Sequence, residues 1–256
     1  MSIEINRNGM KCPSFAGEMA KSDQQNGVAP PPVSKAATGK LIRLPAFDKT
    51  PVNDAYTNLL DIRRSIRTYD DATPMTQEQL AYMLHTAMCI QEFRGQGNMA
   101  TLRPAPSGGA RHAFELYVAV KNVTGLEQGI YRYVPLEDVG KKAVTIEYIG
   151  EINDYDATMS DMVVGQKWAA AASCVLFISC VPYRAEWRYR ELAHRVVLID
   201  LGHVGQNVML SAVALGLGSC CLAAYDQSVC DKVIGLDGTD EYTVYAISVG
   251  VQKGGN

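Results

Sequence analysis

Many of the usual signatures of chemistry are missing from this 256-residue chain, and each absence removes a class of function. No glycine run has the G-x-G-x-x-G spacing between a strand and a helix that binds dinucleotides, and there is no Walker loop or G-x-S-x-G nucleophile elbow. Nucleotide hydrolysis and the common esterase mechanism therefore lose support. The seven cysteines form an odd set without paired C-x-x-C spacing, which disfavours a disulfide framework or a zinc ribbon. Most lie in apolar runs such as Ser173-Cys174-Val175-Leu176-Phe177-Ile178, where a free thiol behaves as a small buried hydrophobe in a reducing compartment. The formal net charge of -3 gives no reason to expect nucleic acid as a partner. No apolar stretch reads as long enough to span a bilayer, and positions 1–11 are too polar for a secretory signal, so no membrane partner and a cytoplasmic location are expected.

What is present is a dense cationic run, Arg63-Arg64-Ser65-Ile66-Arg67, directly after an amphipathic segment. Guanidinium forks match phosphate oxygens bidentately, so a small phosphorylated cofactor suits this run; a solvated basic turn with surface ion pairs is the competing reading. A second polar cluster, Arg188-Tyr189-Arg190 with His194-Arg195, follows Trp187. A phenol beside guanidiniums can serve as an acid or base, unless the cluster is simply the start of a surface helix. His85 and Cys89 have the helical spacing of two metal ligands but lack companions, so ordinary packing and no metal are expected. Gly202-His203 reads as a helix-packing glycine beside a core histidine.

Length suits one catalytic-sized domain. Residues 1–40 read as a flexible tail, being rich in Gln, Ser, Pro and Lys from Ser22 onward with Pro30-Pro31-Pro32 inside, and residues 41–256 form the domain. Tyr56, Leu59, Leu60 and Arg63 predict a helix near 53–63, and Thr76 with Gln79 predicts a capping box opening a second. Glu92 to Thr101 reads as a polar loop, and Pro106-Ser107-Gly108-Gly109 as a tight turn with exposed amides. Strands are expected at 115–120, 129–134, 144–149, 173–180 and 242–249, and helices at 154–172 and 192–216, the latter with a Gly-Leu-Gly stop. Residues 219–224 and a short helix from Asp226 complete a mixed α+β order without regular βαβ alternation.

Taken in order, these pieces resemble the FMN-dependent nitroreductase family over about residues 41–251. The resemblance rests on the arginine run, Pro106-Ser107-Gly108-Gly109, Gly202-His203-Val204-Gly205-Gln206-Asn207, and Leu215-Gly216-Leu217-Gly218 leading to Ala223-Ala224-Tyr225-Asp226. The Leu44-Pro45 lead-in, Gly129-Ile130-Tyr131-Arg132-Tyr133 and the stretch from Tyr189 to His203 look most similar to the SagB-type branch, which includes dehydrogenases that oxidise azolines in peptides.

The resemblance implies an α+β sandwich with a mixed central sheet flanked by helices, in an intertwined homodimer holding FMN at the subunit interface. It further implies that Arg63, Arg64, Ser65 and Arg67 contact the FMN phosphate and ribityl chain. Pro106, Ser107 and Gly108 would approach the flavin from the partner, Gln166 would touch the ring or ribityl group, and the backbone at Ala223 and Ala224 would face the reactive edge. The role of Lys253 stays open. The implied activity is ping-pong transfer from NADH or NADPH to a small nitroaromatic or quinone-like acceptor. Azoline dehydrogenation is the enzymatic alternative and a flavin-binding or partner-interaction protein the non-catalytic one. Where azoline-oxidising relatives are expected to carry Lys-Tyr, this chain has Arg188-Tyr189, and an arginine is a poor general base.

Overall fold

The apolar run Cys174–Cys180 forms the central strand of the sheet, buried along its whole length. A computed structural model describes residues 2–11, 54–95 and 100–254. Residues 12–40 of the expected tail, Cys12 and the Leu44-Pro45 lead-in lie outside the described residues. The described elements run α1 (Ile3–Met10), α2 (Asp54–Ile62), α3 (Gln77–Met88), β1 (Glu92–Arg94), β2 (Ala100–Leu102), β3 (Phe114–Val120), β4 (Gly129–Tyr133) and β5 (Ile146–Gly150). They continue with α4 (Tyr155–Met162), α5 (Lys167–Ala170), β6 (Cys174–Cys180), α6 (Tyr183–Tyr189), α7 (Ala193–Ala214), β7 (Leu217–Leu222), α8 (Gln227–Ile234) and β8 (Tyr242–Val251).

Six strands make one sheet in the order β5-β4-β3-β6-β8-β7, and every neighbouring pair is antiparallel. A mixed sheet was the expectation. The helical crossover from β6 through α7 does produce a strand, β7, that runs parallel to β6, but β8 inserts between them and pairs antiparallel with both. Side chains alternate across the sheet because the strand period is two. Leu116, Val118, Leu176 and Ile178 meet α3 and α7 on one face, while Tyr117, Ala119, Val175 and Phe177 meet α4, α5 and α8 on the other. Cover on both faces explains why β6 reads as a continuous apolar run rather than an alternating one.

Local signals hold well at several ends. Thr76 accepts from the Gln79 amide at 3.2 Å and the Gln79 side chain accepts from the Thr76 amide at 2.9 Å, completing the capping box. Gly216, at φ 71°, turns the chain out of α7. The helix expected over 154–172 is instead broken, because Val164 and Gly165 adopt left-handed backbone at φ 48° and 79°. The polar loop expected after Glu92 contains the β1–β2 hairpin. By length and composition α7 does reach the size needed to cross a bilayer, against expectation; its ten buried residues instead pack it on α3 and the sheet. Cys89, Cys174, Cys180, Cys220 and Cys230 are buried and Cys221 is half-buried, all free.

Residues 3–10, placed by the sequence in the tail, form a helix anchored to α6. Arg7 Nε donates to Glu186 Oε1 at 2.7 Å, and the same carboxylate oxygen lies 2.8 Å from His194 Nε2. Burial works to raise the pKa of Glu186, but the hydrogen bonds from Arg7 and His194 outweigh it and hold the group below the ordinary carboxylate value. A depressed carboxyl contributes stability above its unfolded pKa, and loses it as pH falls through the folded one. Arg7→Met is expected to lower the unfolding free energy by about 1–3 kcal/mol at neutral pH. Urea titrations should show that difference closing once the pH drops below the ordinary carboxylate range; a constant difference would argue against the ion pair as its source.

Candidate functional site

The arginine run leaves α2 and lies along the edge of β7. Arg63 still donates its amide to the Leu59 carbonyl at 3.1 Å, and the chain then extends so that Ile66 donates to Ser219 O at 2.9 Å. Ser65 and Ser219 form an isolated parallel bridge. Gly218 permits this approach, since a Cβ there would lie 2.7 Å from Ile66 Cγ2. Further on, Tyr69 bridges to Gln252 and the Lys253 amide donates to Thr68 O at 3.3 Å, which sets the C-terminal lysine beside the same segment.

Three residues of the run act on one thiol. Burial raises the pKa of the Cys220 thiol, while the charges of Arg67 and Arg63 and hydrogen bonds with Ser65 and Arg67 pull the other way. Arg67 also lies over the Trp168 ring, 5.5 Å from its centroid, a contact that positions the guanidinium. No carboxylate pairs with Arg63, Arg64 or Arg67 among the described residues. Arg64 does not join them; it turns back on the end of α2 and donates to the Asp61 and Arg63 carbonyls, both at 2.8 Å. Beside Trp168, the break after α4 presents Gln166, whose Nε2 donates to Ala224 O at 2.7 Å and Val163 O at 3.0 Å. Gln166, Ala223 and Ala224 are thus brought together, with Trp168 as a member that sequence reasoning missed.

The other candidates gather elsewhere. Ser107 Oγ accepts from the His112 amide at 2.9 Å, and the Gly108 amide donates to both carboxylate oxygens of Asp200, at 3.2 and 3.1 Å. Burial raises the Asp200 pKa against those bonds. Tyr189 and Arg188 pack on this turn: a Cβ at Gly109 would lie 2.6 Å from the Tyr189 hydroxyl and 2.9 Å from Arg188 Cδ, and one at Gly108 would lie 2.2 Å from Val196 Cγ1. Gly109 also has φ 59°, so glycine is required twice over. Pro106 is exposed at the front of the turn. Asp200 was missed, although an acid inside Val196-Val197-Leu198-Ile199-Asp200-Leu201 was a signal that something pairs with it.

The two groups are carried by different elements: the turn by α7 through Asp200, and the arginine run by the edge of β7 through Ser219. Along the same helix Leu198 and Ile199 are 51% and 54% exposed. Gly202 and His203 are exposed too, not in the core as expected, and Gly205 is the packing glycine, with Tyr245 against it.

The sequence profile of the nitroreductase family matches residues 60–251. The nitroreductase-named protein MJ1384 of Methanocaldococcus jannaschii is 29% identical over 209 residues, which is 82% of this chain and 95% of that one. The microcin B17-processing protein McbC of Escherichia coli is 27% identical over 154 residues, covering 59% of this chain, which spans only about half (54%) of McbC. Among solved structures, the E. coli microcin synthetase McbBCD complex with truncated pro-MccB17 bound matches with a TM-score of 0.68 at 17% identity, over 94% of this chain and 85% of the matched one.

Proposed function

Since this chain belongs to the nitroreductase family, we propose that it is an FMN-dependent oxidoreductase acting as a homodimer, moving a hydride from NADH or NADPH to a small nitroaromatic or quinone-like acceptor. The observation that carries this reading is the placement of the arginine run along β7 at Ser219 and Cys220, with no carboxylate among the described residues paired with Arg63, Arg64 or Arg67. That donor set fits a phosphate monoester, and the uncharged surface formed by Ala223, Ala224 and Trp168 next to it fits a flat ring.

FMN, when bound, would supply the two-electron hydride chemistry of the reaction. The chain's own part is to hold and orient. Arg63, Ser65 and Arg67 bind the phosphate, and Arg64 secures the helix end that presents them. Lys253 adds positive charge at the rim. Gln166 fixes the Ala224 peptide so that the backbone at Ala223 and Ala224 faces the reactive edge, and Trp168 keeps water from the Arg67 side. Pro106, Ser107 and Gly108 of a second copy close the other side. The free, mostly buried cysteines suit a reducing, cytoplasmic setting.

Azoline dehydrogenation on a modified peptide is the second reading, favoured by the similarity to McbC. In that reaction Tyr189, on the Gly108–Gly109 turn, would handle the proton, since Arg188 stays charged and cannot accept one. One experiment separates the readings. Purified protein should be yellow, or become so with FMN, and release FMN on denaturation. It should oxidise a nicotinamide donor in the presence of a quinone, with slow turnover or none of an azoline peptide until Arg188→Lys restores a residue able to take a proton. Protein that stays colourless with FMN overturns the flavoenzyme reading. Rapid azoline oxidation by the unaltered chain, lost in Tyr189→Phe, makes the second reading the correct one.

A further inference from the structure

Away from the arginine run, the β1–β2 hairpin, β4 and the turn at Ala110–His112 enclose a cavity of about 350 Å3. Its wall carries four arginines, Arg103, Arg111, Arg132 and Arg184, against one acid, Glu115. Two of these cations are matched locally: Arg132 pairs with Glu147, and Arg184 pairs with Glu115. Arg103 is different. It donates from Nε to Thr101 Oγ1 at 3.2 Å and from Nη1 to Met88 O at 3.3 Å, and no carboxylate pairs with it among the described residues.

Burial lowers the Arg103 pKa to about 10 despite the charge of Glu115. His112 is brought down to about 4 by burial and by the charge of Arg103, so it lines the cavity as a neutral ring. Glu115 is engaged by Arg184, and holding the buried Arg103 cation with no carboxylate of its own costs free energy that a well-placed anion would offset.

An independent observation points to the same ligand. Tyr133 lines the cavity, is only 1% exposed, and its hydroxyl has no hydrogen-bond partner. The phenol lies within the field of Arg103, each affecting the other's titration. Buried hydroxyls are nearly always satisfied, so this one is a donor awaiting an acceptor. The apolar part of the wall includes Ile90, Phe93, Pro135 and Leu136. One guanidinium fork and one phenol match two carboxylate oxygens, and the apolar residues within this mixed wall match a compact hydrophobic body.

We propose that this cavity is a binding site for a small carboxylate with an apolar, ring-sized body, its oxygens held by Arg103 and Tyr133. The site is separate from the arginine run and does not depend on the flavin reading. Isothermal titration of the full-length protein with benzoate, and with benzamide as the neutral isostere, tests it. Benzoate should bind saturably and at least tenfold more tightly than benzamide. Arg103→Gln should weaken benzoate by more than tenfold and Tyr133→Phe by about fivefold, the size of one lost hydrogen bond. The double variant Arg63→Ala/Arg67→Ala should leave benzoate affinity unchanged, which distinguishes this cavity from a flavin site. Tyr133→Phe removes only an unpartnered hydroxyl, so it decides the question if Arg103→Gln fails to fold. Absence of benzoate binding, no preference over benzamide, unchanged affinity in Tyr133→Phe, or loss in the Arg63→Ala/Arg67→Ala variant overturns the assignment.

Discussion

Replacing Arg63 and Arg67 together by alanine is expected to weaken FMN by at least about a hundredfold while leaving riboflavin within a few-fold of its original affinity. A hydrogen bond from a guanidinium to a phosphate contributes about 1.5–3 kcal/mol, and two of them together account for roughly two to four decades of affinity. Riboflavin lacks the phosphate and therefore has nothing to lose at this end. Arg67→Lys should fall between the two, since the charge stays but the fork and the stacking on Trp168 go. Raising the ionic strength should weaken FMN more in the unaltered protein than in the double variant, because the screened charges are those removed. Fluorescence titration with both flavins measures all of this. Equal losses for FMN and riboflavin would move the phosphate site away from the run after α2.

Leu198→Asp with Ile199→Asp is expected to convert a dimer of about twice the chain mass into monomers, and to lower FMN affinity by about a hundredfold or more with every arginine intact. Both side chains are about half exposed on α7 in the protomer, and a two-fold interface would bury each of them twice. Burying a leucine or isoleucine contributes about 1.5–3 kcal/mol, so placing carboxylates there removes that gain and adds the cost of desolvating four charges. The loss of flavin follows from the proposed sharing of the site, in which the Ser107–Gly108 turn of one copy completes the flavin site of the other. Sedimentation velocity and a flavin titration on the same sample give both readings. An unaltered protein that is a monodisperse monomer and yet binds FMN tightly would remove the shared-site arrangement altogether.

The arginine run could be picked out by eye because its charge is concentrated in consecutive positions, whereas the separate contacts of its members could not. Arg64 sits in the middle of the run and spends its donors on α2, while Trp168, about a hundred residues away, holds Arg67. The pairing of Gln166 with Ala224 depends on a break between α4 and α5 that helical periodicity did not reveal, since Val164 carries no sign of its left-handed backbone. The anchored helix α1 was hidden for a similar reason: its sequence is polar, and its order comes from Arg7 meeting Glu186 far along the chain.

By itself the sequence determined whatever depends on near neighbours. The Thr76–Gln79 box, the Asp226 cap of α8, the glycine exit from α7 and the buried strand β6 follow from side chains acting within one turn or from a run of apolar residues. Tertiary structure alone decided the antiparallel direction of the sheet, because the insertion of β8 between β6 and β7 is a matter of strand order in space. It also decided which candidate residues meet, Gln166 with Ala224 and the Gly108 turn with Asp200, and the meeting of Arg103 with Tyr133 in a shared cavity. Those outcomes rest on contacts between residues distant in sequence, whose chain-entropy cost is offset only when the whole core packs.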